Sequence, residues 1–128
     1  MRHLEGAESS SLVTERCISC EHAIRLSSDE INELKKSIEG GWTVVDEHHL
    51  KRVFKFRTFL EALEFTNRVG EIAEEEGHHP VITVGWGKAE VMIYTHALNG
   101  LSRSDFILAA KISSIVLQTY ERNYEATD

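Results

Sequence analysis

The apolar residues of this 128-residue chain recur at two spacings, one typical of helices and one typical of strands. The first helical stretch carries its apolar stripe at Ile31, Leu34 and Ile38. Ser27, with Glu30 three residues later, has the pattern of a capping box. The sequence therefore predicts a first helix that begins after Ser27 and ends before the glycine pair that follows it.

The spacing then changes to two, which predicts a hairpin of residues 42–45 and 50–57. In the second of these strands Phe54 and Phe56 share one face, while Lys55 and Arg57 lie on the other. One face of the predicted sheet is therefore buried, and the opposite face is at least partly in contact with water.

A long amphipathic helix is predicted over residues 58–76, because its apolar positions return at helical spacing. Gly77 stands where a left-handed residue commonly ends a helix. The stripe consists of Phe59, Ala62, Leu63, Thr66, Val69 and Ala73.

A second hairpin is predicted from residues 81–86 and 89–96. In its second strand His96 shares a face with Met92 and Tyr94. A further capping-box pattern, Ser102 followed by Asp105, opens a third helix that we expect to continue to about residue 122.

The predicted order is α-β-β-α-β-β-α, and each hairpin can close without a crossover. We therefore predict an α+β fold, an antiparallel sheet with the three helices packed on one face. Residues 1–25 are polar and without clear periodicity, so we expect a flexible N-terminal tail ahead of one domain over residues 26–128. Both faces of the last strand are rather apolar, which indicates an oligomer surface on the face away from the helices.

Composition narrows the possible functions. A formal charge of −7 argues against direct binding to nucleic acid, and no apolar run approaches the roughly 20 residues that cross a bilayer. We expect a cytoplasmic protein that has no membrane partner. The two cysteines, Cys17 and Cys20, are spaced as C-x-x-C without a second pair, and we interpret them as free thiols.

The stretch from Glu74 to Pro80 contains residues that do not suit the helix end predicted there. Three consecutive glutamates face the negative end of the helix dipole, an unfavourable placement. His78 and His79 follow the helix-ending glycine, and imidazoles titrate near neutral pH. Pro80, the only proline, prevents the helix from continuing. Such conflicts mark candidate functional sites.

Antiparallel pairing of the second hairpin would bring the end of its last strand, with His96, beside the start of the strand after Pro80. His78, His79, His96 and Glu74 then form a candidate acid–base site. A zinc site is an alternative, although neighbouring residues of an extended chain point to opposite sides. A solvated turn is another alternative, and we interpret the pair His48-His49 in that way.

Two further residues have competing interpretations. Asp105 is expected to be structural, because it occupies the third position of a capping box. Trp42 is expected either in the core or as a stacking wall for a flat ligand.

Taken together, Glu74-x3-His78-His79-Pro80, then Trp86, His96 and Asp105, closely resemble the signature of the pterin-4a-carbinolamine dehydratases. The resemblance runs from about Leu26 through the third helix. It implies a four-stranded antiparallel sheet with three helices on one side, in homodimers or homotetramers. Val81-Ile82 stand where many members carry an acidic and an aromatic residue, so the substrate's side chain stays open.

The resemblance also implies a hydro-lyase that converts 4a-hydroxytetrahydropterin to quinonoid dihydropterin and so recycles the tetrahydropterin cofactor of aromatic amino-acid hydroxylases. It implies acid–base and substrate-binding roles for His78, His79 and His96, an orienting role for Glu74, and neither cofactor nor metal. The pterin substrate would be the small-molecule partner. The alternative function is a dimerisation or binding module that acts as a transcriptional coactivator without turnover.

Overall fold

The computed structural model describes residues 12–38 and 40–115. Its three long helices are α1 (Ser28–Lys35), α2 (Phe59–Glu76) and α3 (Arg103–Ile115). The strands are β1 (Thr43–Val45), β2 (His49–Lys55), β3 (Val81–Gly85) and β4 (Lys88–Ile93). Two short 3₁₀ helices are added at Cys20–His22 and His96–Leu98. The predicted order α-β-β-α-β-β-α is confirmed, and no helix within the described ranges could cross a membrane.

Local signals set the helix boundaries as predicted. The hydroxyl of Ser27 accepts the amide of Glu30, whose carboxylate accepts the amide of Ser27 at 2.8 Å. Thr58 caps α2 by accepting the amide of Glu61 at 3.0 Å. Gly77 ends that helix at φ 67°, in the left-handed region where glycine has no Cβ penalty. The predicted end of α3 near residue 122 lies outside the described residues.

All four strands form one antiparallel sheet in the order β1-β2-β4-β3. The pairing of β3 with β4 sets Val81 opposite Met92, so β4 ends where β3 begins. The pairing of β2 with β4 sets Leu50 opposite Ile93, so the turn before β2 reaches the same end of the sheet. This end carries the candidate site.

One face of the sheet and the helices share a continuous apolar core. Phe54 of β2, Phe65 of α2 and Phe106 of α3 are fully buried in it. The predicted inward direction of Phe54 and Phe56 is confirmed, since both are buried while Lys55 between them is exposed. The opposite face of the sheet carries both polar and apolar side chains, because the cross-strand neighbours Thr43, Lys51, Met92 and Val81 lie side by side there.

The N-terminal segment differs from the prediction. Residues 12–25 are not a loose tail: Leu12 is 1% exposed within the core. The amide of Cys17 donates to Glu76 Oε1 at 2.8 Å, and the amide of Ile18 donates to Ser104 Oγ at 2.8 Å. These partners lie far away in sequence, so local composition did not reveal the contacts. The remainder of the predicted tail, residues 1–11, lies outside the described residues.

The last strand is shorter than predicted. β4 ends at Ile93, and His96 begins a 3₁₀ helix instead of continuing the strand. The chain then turns at Asn99, which has φ 49°, and Gly100 pairs with Thr95 across the turn. The turn begins before residue 96, where the period-two pattern predicted a continuing strand, and it sets the backbone direction at His96.

Candidate active site

The end of α2 sends its two histidines in different directions. The amide of His78 donates to the carbonyl of Ala73 at 3.2 Å, the 6→1 hydrogen bond of a helix that ends at a left-handed glycine. After this turn the His78 side chain is 5% exposed, whereas the His79 side chain is 60% exposed. The expectation that neighbouring histidines face apart is thus met at this turn.

His78 belongs to a buried polar network. Its Nε2 lies 2.6 Å from Oδ1 of Asp105, a fully buried carboxylate at the start of α3. The other oxygen, Oδ2, accepts the hydroxyl of Thr95 at 2.9 Å and the amide of Ser102 at 2.8 Å. The hydroxyls of Thr95 and Ser102 are 2.8 Å apart. Asp105 therefore caps the helix, as predicted, and also holds a histidine, which the sequence analysis missed.

This network fixes the orientation of the His78 ring. A carboxylate only accepts hydrogen bonds, so Nε2 of His78 carries the proton in this contact. A carboxylate that orients an imidazole in this way is a recurrent arrangement in acid–base and nucleophilic sites.

A second imidazole–carboxylate pair lies on the surface. Nε2 of His79 is 2.7 Å from Oε2 of Glu74, which lies in the last turn of α2, and the Glu74 side chain is 79% exposed. The pair is accessible to a ligand from solvent. The predicted proximity of Glu74 to one imidazole is thus present in the structure.

The three glutamates at the end of α2 differ in their contacts, which composition did not reveal. The side chain of Glu76 is 4% exposed and accepts the amide of Cys17 as well as Arg16 Nε. Burial tends to raise the pKa of Glu76, but these bonds and the nearby Lys111 outweigh it and lower the pKa. Glu76 therefore anchors the N-terminal segment, whereas Glu74 contacts an imidazole.

His96 reaches the same end of the sheet through the pairing of β3 with β4, as the sequence analysis expected. It directly follows Thr95, whose hydroxyl shares Asp105 with His78. Its exposed ring packs on Tyr94, with ring centroids 4.4 Å apart. The buried Asp105 thus contacts His78 directly and also contacts Thr95, the residue before His96, while His79 follows His78 in the chain.

The structure also places Trp42 and Pro80, two further residues with predicted roles. Trp42 is 3% exposed, and its indole N–H donates to Ser113 Oγ at 2.8 Å. It is a core residue, which does not support the interpretation as a stacking wall. Pro80 lies between the end of α2 and the start of β3, consistent with its predicted structural role.

The pair His48-His49 is not a solvated loop. Both residues are half-buried, and the His48 ring packs on Tyr94 at a centroid distance of 4.5 Å. Burial, and secondarily the neighbouring His48, lowers the pKa of His49. Only the register between β2 and β4 places His48 near Tyr94, so no local signal in the sequence could have revealed it.

Cys17 is a free, partly buried thiol whose Sγ lies 3.5 Å from the carbonyl of Ser104. Burial and, next, the nearby Glu76 raise the pKa of Cys17 to about 12. A thiol of this kind is a poor nucleophile and a poor metal ligand at neutral pH. Within residues 12–38 and 40–115, no three histidine, cysteine or acidic side chains are grouped as a metal site.

A separate cavity of about 540 Å³ lies between the N-terminal segment and α1. Its lining is largely apolar and includes Ile18, Leu26 and Leu34. The imidazole–carboxylate pairs described above do not line it. The cavity wall also includes His22 and Asp29, but the close imidazole–carboxylate pairs lie in the histidine region.

Comparison with known proteins adds independent findings. The sequence model of the family described as "Pterin 4 alpha carbinolamine dehydratase" matches residues 24–115. A protein of Rubrobacter xylanophilus, named "Putative pterin-4-alpha-carbinolamine dehydratase", is 49% identical over 107 residues, which are 83% of this chain and 99% of that protein. A protein of the same name from Alkaliphilus metalliredigens is 46% identical over 103 residues, 80% of this chain and 93% of the relative.

The fold is also shared with a solved structure. The crystal structure of a transcriptional coactivator/pterin dehydratase from Brucella melitensis superposes with a TM-score of 0.68 at 32% sequence identity. The match covers 72% of this chain and 98% of the Brucella chain. The α+β architecture described above is thus that of a known protein fold.

Proposed function

The chain belongs to the pterin 4 alpha carbinolamine dehydratase family, and from that premise we propose that it is a hydro-lyase acting on a 4a-hydroxytetrahydropterin. The product is quinonoid dihydropterin, which is reduced elsewhere to regenerate the tetrahydropterin cofactor. The observation that supports this proposal best is the buried pair of His78 and Asp105, which lies beside the exposed pair of His79 and Glu74.

The reaction matches the chemistry of these groups. The proton on N5 of the substrate is removed while the hydroxyl on C4a accepts a proton and leaves as water. The C4a–O bond breaks, and a double bond forms between C4a and N5. No electrons are exchanged with a second compound, so a general acid and a general base suffice, a contribution of typically 10²–10⁴-fold.

We assign the catalytic and substrate-binding roles to His78, His79 and His96. Asp105 orients His78, and Glu74 orients or polarises His79. The His78 side chain is 5% exposed, whereas His79 and His96 are open to solvent.

The direct test is the dehydration rate of synthetic 4a-hydroxytetrahydropterin. His79→Ala and His96→Ala are each expected to lower kcat by about 100-fold or more. His22→Ala, which removes an exposed histidine on a different element, is the matched control. Wild-type turnover no faster than that of His79→Ala would exclude the proposal.

A chelator in the same assay tests the alternative of a metal enzyme. We expect turnover to be unchanged by the chelator and the purified protein to lack stoichiometric zinc. Loss of activity with the chelator, followed by recovery with zinc, would instead favour metal-assisted chemistry.

The proposal extends to assembly and location. We propose a cytoplasmic homodimer or homotetramer whose small-molecule partner is the pterin, without direct contacts to nucleic acid or membrane. Among the described residues, β1 and β3 are the outer strands of the sheet, and an outer strand can pair with a strand of another subunit. Light scattering after size exclusion measures the assembly, and a monomer at all concentrations would contradict this part.

A binding module is the second candidate function. The Brucella protein is named both a transcriptional coactivator and a pterin dehydratase. In this chain, the exposed apolar residues Phe59, Leu60 and Leu63 lie together at the start of α2. A helical protein partner captured through these residues, together with absent pterin turnover, would favour this function over the first.

A further inference from the structure

His96 belongs to a closed ring of contacts among four residues. The His96 ring packs on Tyr94 at a centroid distance of 4.4 Å, and Tyr94 packs on His48 at 4.5 Å. Nε2 of His48 lies 2.9 Å from Oδ1 of Asn99, and the amide of Asn99 donates to the carbonyl of His96 at 3.1 Å. We refer to His48, Tyr94, His96 and Asn99 as the His96 clasp.

The backbone holds one side of this clasp. His96 begins the 3₁₀ helix His96–Leu98, and Asn99 ends it in the left-handed region at φ 49°. The amide of Thr95 donates to the carbonyl of Gly100 at 2.9 Å, which closes the turn. The two clasp residues on this segment therefore have a fixed separation.

The turn between β1 and β2 holds the other side. The amide of His48 donates to the carbonyl of Val45 at 2.8 Å. The carboxylate of Glu47 accepts the hydroxyl of Ser28 at 2.8 Å, which ties this turn to α1. His48 therefore lies on a turn held by hydrogen bonds, and none of the three proposed catalytic histidines lies on that turn.

We propose that Tyr94 is a positioning residue for His96 and that His48, bound to Asn99, supports it. This inference rests on the proposed function, because it gives His96 a role in turnover. An exposed side chain samples several rotamers, and only one orientation is productive. Tilted ring packing against Tyr94, which is itself packed on His48, restricts the imidazole before the substrate arrives. Misplacement of a reacting group by about 1 Å can cost on the order of 100-fold in rate.

Two properties distinguish this role from ordinary packing. Tyr94 is only half-buried and follows β4 on the face opposite the helices, so it does not fill the core. Its ring contacts include two imidazoles on separate segments of the chain. Loss of the Tyr94 ring should therefore change the orientation of the His96 side chain while changing the free energy of unfolding little.

Kinetics of three variants test the proposal. Tyr94→Ala is expected to lower kcat about tenfold with KM changed less than about threefold, and Tyr94→Phe, which keeps the ring, to recover most of that loss. His48→Ala should produce a smaller loss of the same kind. Trp86→Ala is the matched control, since it removes a 79% exposed aromatic ring at the far end of the same hairpin. Wild-type kcat in Tyr94→Ala would overturn the proposal.

A second measurement separates this proposal from the proposed function. NMR of the full chain should show ring-current shifts of the His96 imidazole protons that disappear in Tyr94→Ala and persist in Tyr94→Phe. If the wild type lacks dehydratase activity, the proposed function fails whatever these shifts show. If the wild type is active and the His96 signals are the same in Tyr94→Ala, the clasp fails and the proposed function stands.

Discussion

Nε2 of His78 lies 2.6 Å from Oδ1 of Asp105, and both side chains are buried. The contact joins the end of α2 to the start of α3 across 27 positions of sequence. Burying an imidazole–carboxylate pair costs desolvation free energy, and removing only one partner destabilises the fold because the other is left unpaired in the interior. The contact is therefore the point at which stability and the proposed catalysis depend on the same atoms.

Asp105→Asn tests this dual role. The asparagine amide keeps the shape of the side chain, but only one of its two terminal atoms can accept hydrogen bonds. Its NH₂ group would therefore face either the N–H of His78 or the donors of Thr95 and Ser102. We expect about 1–3 kcal/mol lower stability in urea unfolding and about 100-fold lower kcat in the dehydration assay. Asp29→Asn, an exposed aspartate in the first turn of α1, is the control. Full activity in Asp105→Asn would contradict the orienting role.

Glu74→Gln tests the surface pair separately. Because Glu74 is 79% exposed, the free energy of unfolding should change by less than about 0.5 kcal/mol. We expect kcat to fall about tenfold, since an oriented His79 is part of the proposed acid–base pair. The adjacent Glu75→Gln is the matched control. Equal kcat in the two variants would show that Glu74 has no role in turnover.

Glu76→Gln should loosen the N-terminal segment. The variant loses the charge that accepts the amide of Cys17 and the side chain of Arg16. We expect about 1–3 kcal/mol lower stability and faster hydrogen exchange in residues 12–18 by mass spectrometry. Glu71→Gln, an exposed position of α2, is the control. Unchanged exchange in that segment would mean that other contacts hold it.

The same carboxylate predicts a pH dependence. Burial raises the pKa of Glu76, but its hydrogen bonds and the nearby cations outweigh this, so the folded-state pKa lies below the ordinary 4.5. Its contribution to stability is therefore complete above pH 4.5 and is lost as the pH falls through the folded-state pKa. The difference in urea midpoint between wild type and Glu76→Gln should shrink on acidification from pH 6 toward that value.

Cys17 should resist alkylation while the protein is folded. A pKa of about 12 in place of 9.0 leaves about a thousandfold less thiolate at pH 8. We expect iodoacetamide labelling of Cys17, followed by peptide mass spectrometry, to be slow in buffer and rapid in urea. Rapid labelling of the folded protein would show that the N-terminal segment opens readily.

Most of the fold could be predicted from the sequence. The caps at Ser27 and Thr58 and the glycine at position 77 act within about four residues of themselves, so they are readable locally. The errors lie where local pattern and longer contacts disagree. The alternation through residue 96 indicated a continuing strand, but the pairing of Thr95 with Gly100 turns the chain there. Polar composition indicated a loose N-terminus, but Leu12 enters the core.

The candidate site was predictable only in part. The concentration of His78, His79 and Glu74 at a helix end is visible in the sequence, and period-two pairing suggested His96. The second role of Asp105 was not visible, because a capping aspartate looks the same whether or not its other oxygen contacts a histidine. Trp42 was equally ambiguous, and its position in the core depends on Ser113, 71 residues away.

The sequence by itself determined the order of the elements, their caps and the set of groups able to transfer protons. These properties depend on neighbours within one helical turn or one strand. Only the tertiary structure decided which carboxylate holds which imidazole, that Glu76 binds Cys17, and that His48 packs on Tyr94 beside His96. Those contacts join residues brought together by strand register and helix packing, which are set by the whole core rather than by any local stretch.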